Sequence, residues 1–315
     1  VEDQRSNCYL VLSLDGGGSS GALQARILER LEELIPFLGK VKLIAGSSIG
    51  GVNGLALAAG RTPAELVKMY VDETENIFQI RGWWDRVAGP ADEAFRADYD
   101  NDGLQEVVTD YLGGRRLRDL SKKVLITAFD LDNQDEWSTK STGVVPPRRR
   151  WKSKFFHNFE LPGNDGHELA VDIALRTSAA PTVFPSYQGF VDGGVVANNP
   201  SMCAVGQAVE AGIPLERIVV VSIGTGASLT HVEGDRLDWG FKQWLPLALP
   251  LVMDGMVGIP DYICKQLLPN RYVRLQPFLP EDVALDDAGK VGKLLAWAND
   301  VDLSKAVDLL ASLPE

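Results

Sequence analysis

Residues Tyr9 to Leu14 form a short, almost wholly apolar run that stops at a glycine cluster, the pattern of a buried strand. From Ala22 to Ile35 the apolar positions Leu23, Ile27, Leu28, Leu31 and Leu34 recur at helical spacing, with Glu29, Arg30, Glu32 and Glu33 between them. The unit then repeats. Val41 to Ala45 reads as a strand, Gly46 to Gly51 as a tight turn, and Val52 to Ala59 as a helix of small residues. Two strand, loop and helix units in succession predict an α/β fold, a three-layer sandwich around a largely parallel sheet. Val124 to Phe129 and Ile218 to Ile223 extend that sheet, and the second ends in another glycine turn, Gly224 to Gly226. Helical patterning falls near 63–79, 104–112 and 168–176, and a polar, basic stretch occupies 133–154.

The texture changes after residue 226. Trp239 to Leu268 is apolar and aromatic, interrupted by Pro246, Pro250 and Pro260, and helical spacing resumes after Asp287. The expected organisation is an α/β domain over 9–226 and a C-terminal apolar and helical extension over 227–315, packed on the same domain as a cap. Pro246 and Pro250 are expected to prevent one long helix and to mark hinges. Core packing is the competing reading of that segment.

Composition narrows the partners. Acidic residues outnumber basic ones 43 to 31, and the net charge of -12 repels nucleic acid and gives no general attraction to anionic membranes. Cys8, Cys203 and Cys264 are odd in number and widely spaced, which argues against a disulfide framework and fits a cytoplasmic setting. No uninterrupted apolar run approaches the roughly 18 to 20 residues that span a bilayer, so the chain is expected to be soluble, with at most peripheral membrane association.

The candidate chemistry lies in the glycine turns. Gly46, Ser47, Ser48, Ile49 and Gly50 make a G-x-S-x-G pentapeptide between a predicted strand and a predicted helix. Flanking glycines permit a sharp turn that lifts the Ser48 hydroxyl clear of the sheet. Gly16, Gly17 and Gly18 follow the first strand, where unhindered N–H groups can receive an anion, either a phosphate or an oxyanion. Acyl transfer needs a nucleophile and separate oxyanion donors, and the two loops together supply both. His157, His167 and His231 are the chain's only histidines, and none stands in a glycine-flanked turn after a strand. Asp192 ends a short apolar run before Gly193 and Gly194, which makes it the better candidate base.

Other features have plainer readings. Asp98, Asp100, Asp102 and Gly103 imitate the opening of a calcium loop, but Thr109 stands where a bidentate glutamate belongs, so a turn capping the following helix is expected and no metal. Arg148, Arg149, Arg150, Lys152 and Lys154 form a basic cluster that could hold a lipid head group or serve as a solvated loop. Trp83 and Trp84 read as an interfacial anchor or as core.

The order of these motifs resembles the patatin-like phospholipase family. The resemblance rests on Asp15 to Gly18, Gly46 to Gly51 and Asp192 to Gly194, with Thr177 to Pro181 and Phe184-Pro185 before the aspartate, Asn198 to Pro200 after it, and Ser222 to Gly226 downstream. It implies a serine acyl hydrolase acting on lipid or phospholipid esters, without cofactor, with Ser48 as nucleophile, Asp192 as activating base, the loop Gly16 to Gly18 as oxyanion hole and Asp15 as a structural residue. The family usually carries a basic residue two places after the third glycine, where this chain has Ser20. Two other classes stay open on the residues alone: an actin-like sugar kinase using the glycine loop for phosphate, and a catalytically silent lipid-binding module.

Overall fold

In the computed structural model, which describes residues 8–77, 97–133, 149–227, 229, 231–234 and 238–314, the apolar runs become strands of one sheet. These are β1 (Tyr9–Leu14), β2 (Val41–Gly46), β3 (Lys123–Asp130), β4 (Lys152–His157), β5 (Phe190–Asp192), β6 (Ile218–Ile223) and β7 (Tyr272–Leu275). The helices are α1 (Gly21–Leu34), α2 (Ser48–Ala58), α3 (Pro63–Ile77), α4 (Asp102–Leu112), α5 (Ala170–Thr177), α6 (Gly194–Ala197), α7 (Ser201–Glu210), α8 (Phe241–Leu267), α9 (Val291–Asn299) and α10 (Ser304–Ala311). The strand order is β4-β3-β2-β1-β6-β7, with β5 also paired to β3. All neighbours are parallel except β4 and β5, which run antiparallel to β3.

Alternation along the central strands divides the core between two faces. Leu10, Leu12 and Leu14 of β1 and Val219, Val221 and Ile223 of β6 pack with α1 to α5, α9 and α10. Val11, Leu43 and Val220 point the other way, onto Ala204, Val205 and Ala208 of α7 and Cys264 of α8. A strand covered on both faces is apolar at nearly every position, which is why β1 and β6, broken only by Ser13 and Ser222, read as continuous runs. Each fully buried Leu or Val contributes roughly 1.5–3 kcal/mol relative to exposure. The result is the expected three-layer α/β/α sandwich.

Two strands escape sequence patterning. β4 is an edge strand whose Lys152, Ser153 and Lys154 read as a polar loop, since one side of an edge needs no apolar cover. β7 is four residues long and carries Arg274, yet it extends the sheet parallel to β6. Residues after Gly226 therefore continue the sheet itself, and α9 packs on α1. The helix after β2 begins at Ser48, four residues before the expected start, because the turn occupies little more than Ser47.

The expectation that prolines divide the apolar segment is overturned. Phe241–Leu267 is one helix of 27 residues with Pro246, Pro250 and Pro260 inside it. Each proline removes a single i to i−4 bond, and outward-tilted carbonyls of an exposed helix can bond water instead. Joined in this way, the segment is long and apolar enough, by length and composition alone, to cross a membrane, although Asp254 interrupts its apolar run.

Candidate active site

The sheet brings the two candidate catalytic residues together through strand lengths. β2 pairs with β3 only as far as Ile126, and β5 then pairs with β3 from Ala128 to Asp130. Since β4 pairs with β3 over Leu125 to Asp130, β5 occupies the β3 edge that β2 has vacated. Asp192, the last residue of β5, thus arrives beside the turn that follows β2.

At that turn Ser48 has φ 51°, the left-handed region, and begins α2. A non-glycine residue held there marks local strain that the surroundings must maintain. They do so with a chain of bonds: the Ser48 N–H donates to Thr177 Oγ1 at 2.8 Å, and the Thr177 hydroxyl donates to the Thr127 carbonyl at 2.6 Å. A side chain at Gly50 would put its Cβ 2.4 Å from the carbonyl oxygens of Leu14 and Asp15, so the elbow closes only with glycine there. Ser47 is fully buried, whereas Ser48 lines the cleft.

The Ser48 hydroxyl donates to Asp192 Oδ2 at 2.6 Å. Asp192 Oδ1 accepts the Gly194 N–H, also at 2.6 Å, which orients the carboxylate. Gly193 permits the approach, since a Cβ there would lie 2.3 Å from the Thr127 carbonyl oxygen. Asp192 is buried, and loss of hydration pushes its pKa up to about 6, against the lowering effect of the Ser48 and Gly194 hydrogen bonds. A carboxylate in that range is a far better proton acceptor than an ordinary aspartate.

The glycine loop lies against the same cleft, but its amides are not equivalent. The Gly16 N–H donates to the Asn198 carbonyl at 3.0 Å. That leaves Gly17 and Gly18, whose N–H groups have no partner among the described residues, as the available donors. Asp15 is held by Arg274, which contacts both carboxylate oxygens and donates to Ser222 Oγ at 2.7 Å. Gln24 fixes the strand ends by donating to the carbonyls of Asp15 and Ile223, and Asn53 and Tyr70 continue the buried network. Neither Arg274 nor this network was singled out from the sequence: β7 has no strand signature, and polar residues within helices give no sign of their partners.

Removing the charge of Arg274 with Arg274→Met is expected to destabilise the fold by about 3–5 kcal/mol, because Asp15 would remain buried and unpaired. Thermal or denaturant unfolding checks this. The double variant Asp15→Asn with Arg274→Met should recover much of the loss, and equal loss in both would refute the pairing as the cause.

Two compartments lie side by side here, and Ser48 lines the first of them. One is apolar, lined by Ile49, Leu104, Val183, Phe184, Met253 and Leu285. The other is more polar, with Ser20, Asn198, Thr225, Asp254 and Gln276 in its wall and no Lys or Arg among the described residues that line it. Met253 of α8 and Leu285 border both.

The remaining candidates lie elsewhere. His157 is half-buried on β4, with its pKa lowered mainly by that burial, while His167 and His231 are exposed beside Glu168 and Glu233. None lines the cleft. Arg149 is engaged by Asp132, Lys154 pairs with Asp165, and Arg149, Arg150 and Lys152 lie outside the cleft lining. Arg148, Trp83 and Trp84 lie outside the described residues. Asp100 Oδ1 accepts the Asp102 N–H at the start of α4, the turn role expected of that acidic run, and no cluster of metal-ligating side chains occurs among the described residues.

Comparison with known proteins defines the class. The family described as patatin-like phospholipase matches residues 12–205, and the chain belongs to that family. Relatives along nearly the whole length include protein teg of Priestia megaterium, 31% identical, covering 96% of this chain and 98% of that one. The putative sporulation hydrolase CotR of Bacillus subtilis is also 31% identical, with 95% and 96% covered. A cGAMP-activated phospholipase of Pseudomonas aeruginosa is 31% identical over 91% of this chain and 82% of its own. Among solved structures, VipD of Legionella pneumophila aligns with a TM-score of 0.47 at 11% identity, covering 98% of this chain and 67% of that one. Family membership makes this chain a lipid hydrolase by class and removes the sugar-kinase alternative.

Proposed function

We propose that this chain cleaves carboxylic esters of lipids through Ser48 and Asp192, without histidine, metal or cofactor. The observation that carries the reading is the 2.6 Å hydrogen bond from Ser48 Oγ to Asp192 within a buried cleft. Asp192 takes the hydroxyl proton as Ser48 Oγ bonds to the ester carbonyl carbon. The carbonyl oxygen becomes anionic and is received by the Gly17 and Gly18 amides; each such donor is worth roughly 10²- to 10³-fold in rate. Collapse breaks the bond to the alkoxy oxygen, which leaves with the proton from Asp192, and the acyl group stays on Ser48. Water then gives a proton to Asp192 as it attacks the acyl carbon, and Ser48 recovers that proton as the fatty acid departs.

The two compartments suit the two halves of such a substrate. The apolar one accepts an acyl chain, and the polar one accepts the alcohol portion. With Met253 at the border of both, α8 acts in this reading as the cap over the cleft. A fluorophosphonate probe followed by peptide mass spectrometry tests the proposal: the adduct is expected on Ser48, and an adduct on Ser47 or Ser19 rejects it.

A further inference from the structure

We infer that α8 (Phe241–Leu267) docks the enzyme on a lipid surface, lying flat along it with the candidate active site directly beneath. The inference rests on the lipid-ester reading above and adds the surface through which substrate arrives. At 3.6 residues per turn, Phe241, Trp244, Leu245, Leu251, Val252, Ile259 and Tyr262 fall on one side of the helix. All seven are exposed, Phe241 by 76% and Tyr262 by 68%. The opposite side carries Met253, Pro260 and Cys264, the helix's buried residues. The charged residues of the helix, Lys242, Asp254, Asp261 and Lys265, project off the apolar stripe. A surface helix of a water-bathed protein has the reverse arrangement, apolar inward and charged outward.

The stripe runs about 30 Å along the helix axis. An apolar face of that extent marks an interaction surface rather than scattered exposed residues. Spanning a bilayer is excluded while the helix is docked, because it is tied sideways to the body. Asn199 Nδ2 donates to the Val257 carbonyl at 3.3 Å, the Tyr272 hydroxyl donates to Asp261 at 3.0 Å, and Cys264 packs in the core. A helix held by one side, with aromatic residues near both ends of the other, has the form of an interfacial helix.

Position identifies the occupant as lipid. Met253, on the inner side, lines the cleft with Ser48 and Asp192, and a Cβ on Gly194, whose N–H orients Asp192, would lie 2.6 Å from its Cε. The outward stripe is therefore the roof of the cleft, where a lipid phase delivers acyl chains and a second protein would obstruct them. Because the stripe is uncharged and the chain carries a net charge of -12, attachment is apolar and does not require anionic lipid.

The test uses Ser48→Ala protein, so that vesicles stay intact, floated with zwitterionic phosphatidylcholine vesicles. Binding is expected and should persist at high salt. Adding Leu245→Ser, Leu251→Ser and Ile259→Ser should lower partitioning roughly tenfold or more at an unchanged melting temperature. With Ser48 restored, the triple variant should hydrolyse a soluble short-chain ester normally and lose hydrolysis of the vesicles. Equal partitioning of the two proteins, absence of vesicle binding, or a dimer that the triple variant dissociates would each overturn the inference. Vesicle binding by a protein that cleaves no ester would reject the hydrolase reading and leave the docking inference standing.

Discussion

Ser48→Ala is expected to reduce ester hydrolysis by roughly 10⁶-fold and to abolish fluorophosphonate labelling, with little effect on folding. The loss should be that large because in the proposed mechanism the hydroxyl forms the bond to the acyl carbon, and no neighbour can replace it: Ser47 is sealed in the core, and the Ser19 hydroxyl donates to the Ala284 carbonyl. Ser47→Ala should keep most activity. Stability separates the strained elbow from an ordinary turn. At φ 51° alanine is as disfavoured as serine, whereas glycine is not, so Ser48→Gly should be more stable than Ser48→Ala by about 1 kcal/mol. Melting curves of the two inactive proteins measure the difference. Retained turnover in either would remove Ser48 from the mechanism.

Asp192→Asn preserves the side-chain shape and the acceptor for the Gly194 N–H but removes the proposed base, and a fall in kcat/KM of about 10²- to 10⁴-fold is expected. The native enzyme should show the same dependence through pH. With Asp192 raised to about 6, kcat/KM should climb roughly tenfold per pH unit below that value and level off above it. The stability effect has the opposite sign. A carboxyl whose folded pKa lies above its unfolded value stabilises the fold when protonated; that contribution is complete below about 4 and is lost as pH rises through about 6. Asparagine does not titrate, so relative to the variant the native protein should lose on the order of 2–3 kcal/mol between those limits. Denaturant unfolding at pH 4 and pH 8 tests the sign. Substituting His157, His167 and His231 singly should leave most activity; collapse in a well-folded histidine variant would reinstate a triad.

Much of the scaffold was legible because its signals are local. A strand buried on both faces is apolar at nearly every position, an amphipathic helix must repeat near 3.6 residues, and a tight elbow must have glycine where a Cβ would strike a carbonyl. β1, β2, β3, β6 and most helices follow from those constraints, as does the turn that carries Ser48. β4 and β7 do not, since an edge strand tolerates lysine and a four-residue strand carrying arginine has no pattern of its own. Pro246 and Pro250 misled for a related reason: a proline opposes helix locally, while the packing of Met253, Pro260 and Cys264 that holds α8 against the body lies elsewhere in the chain.

The sequence by itself determined the kinds of element, the elbow at Ser48 and the set of carboxylates and glycine amides from which a site could be drawn. Only the tertiary structure decided which of them meet. Ser48 and Asp192 are 144 residues apart and come within 2.6 Å because β5 takes the edge of β3 that β2 leaves open. Asp15 and Arg274 are 259 residues apart and pair because β7 adds to β6 in parallel. The Gly16 amide is engaged by Asn198, which leaves Gly17 and Gly18, and the apolar side of α8 faces outward over the cleft. Periodicity arises from forces between near neighbours along the chain, whereas strand register and the partner of a buried charge depend on the whole sheet, which no local window contains.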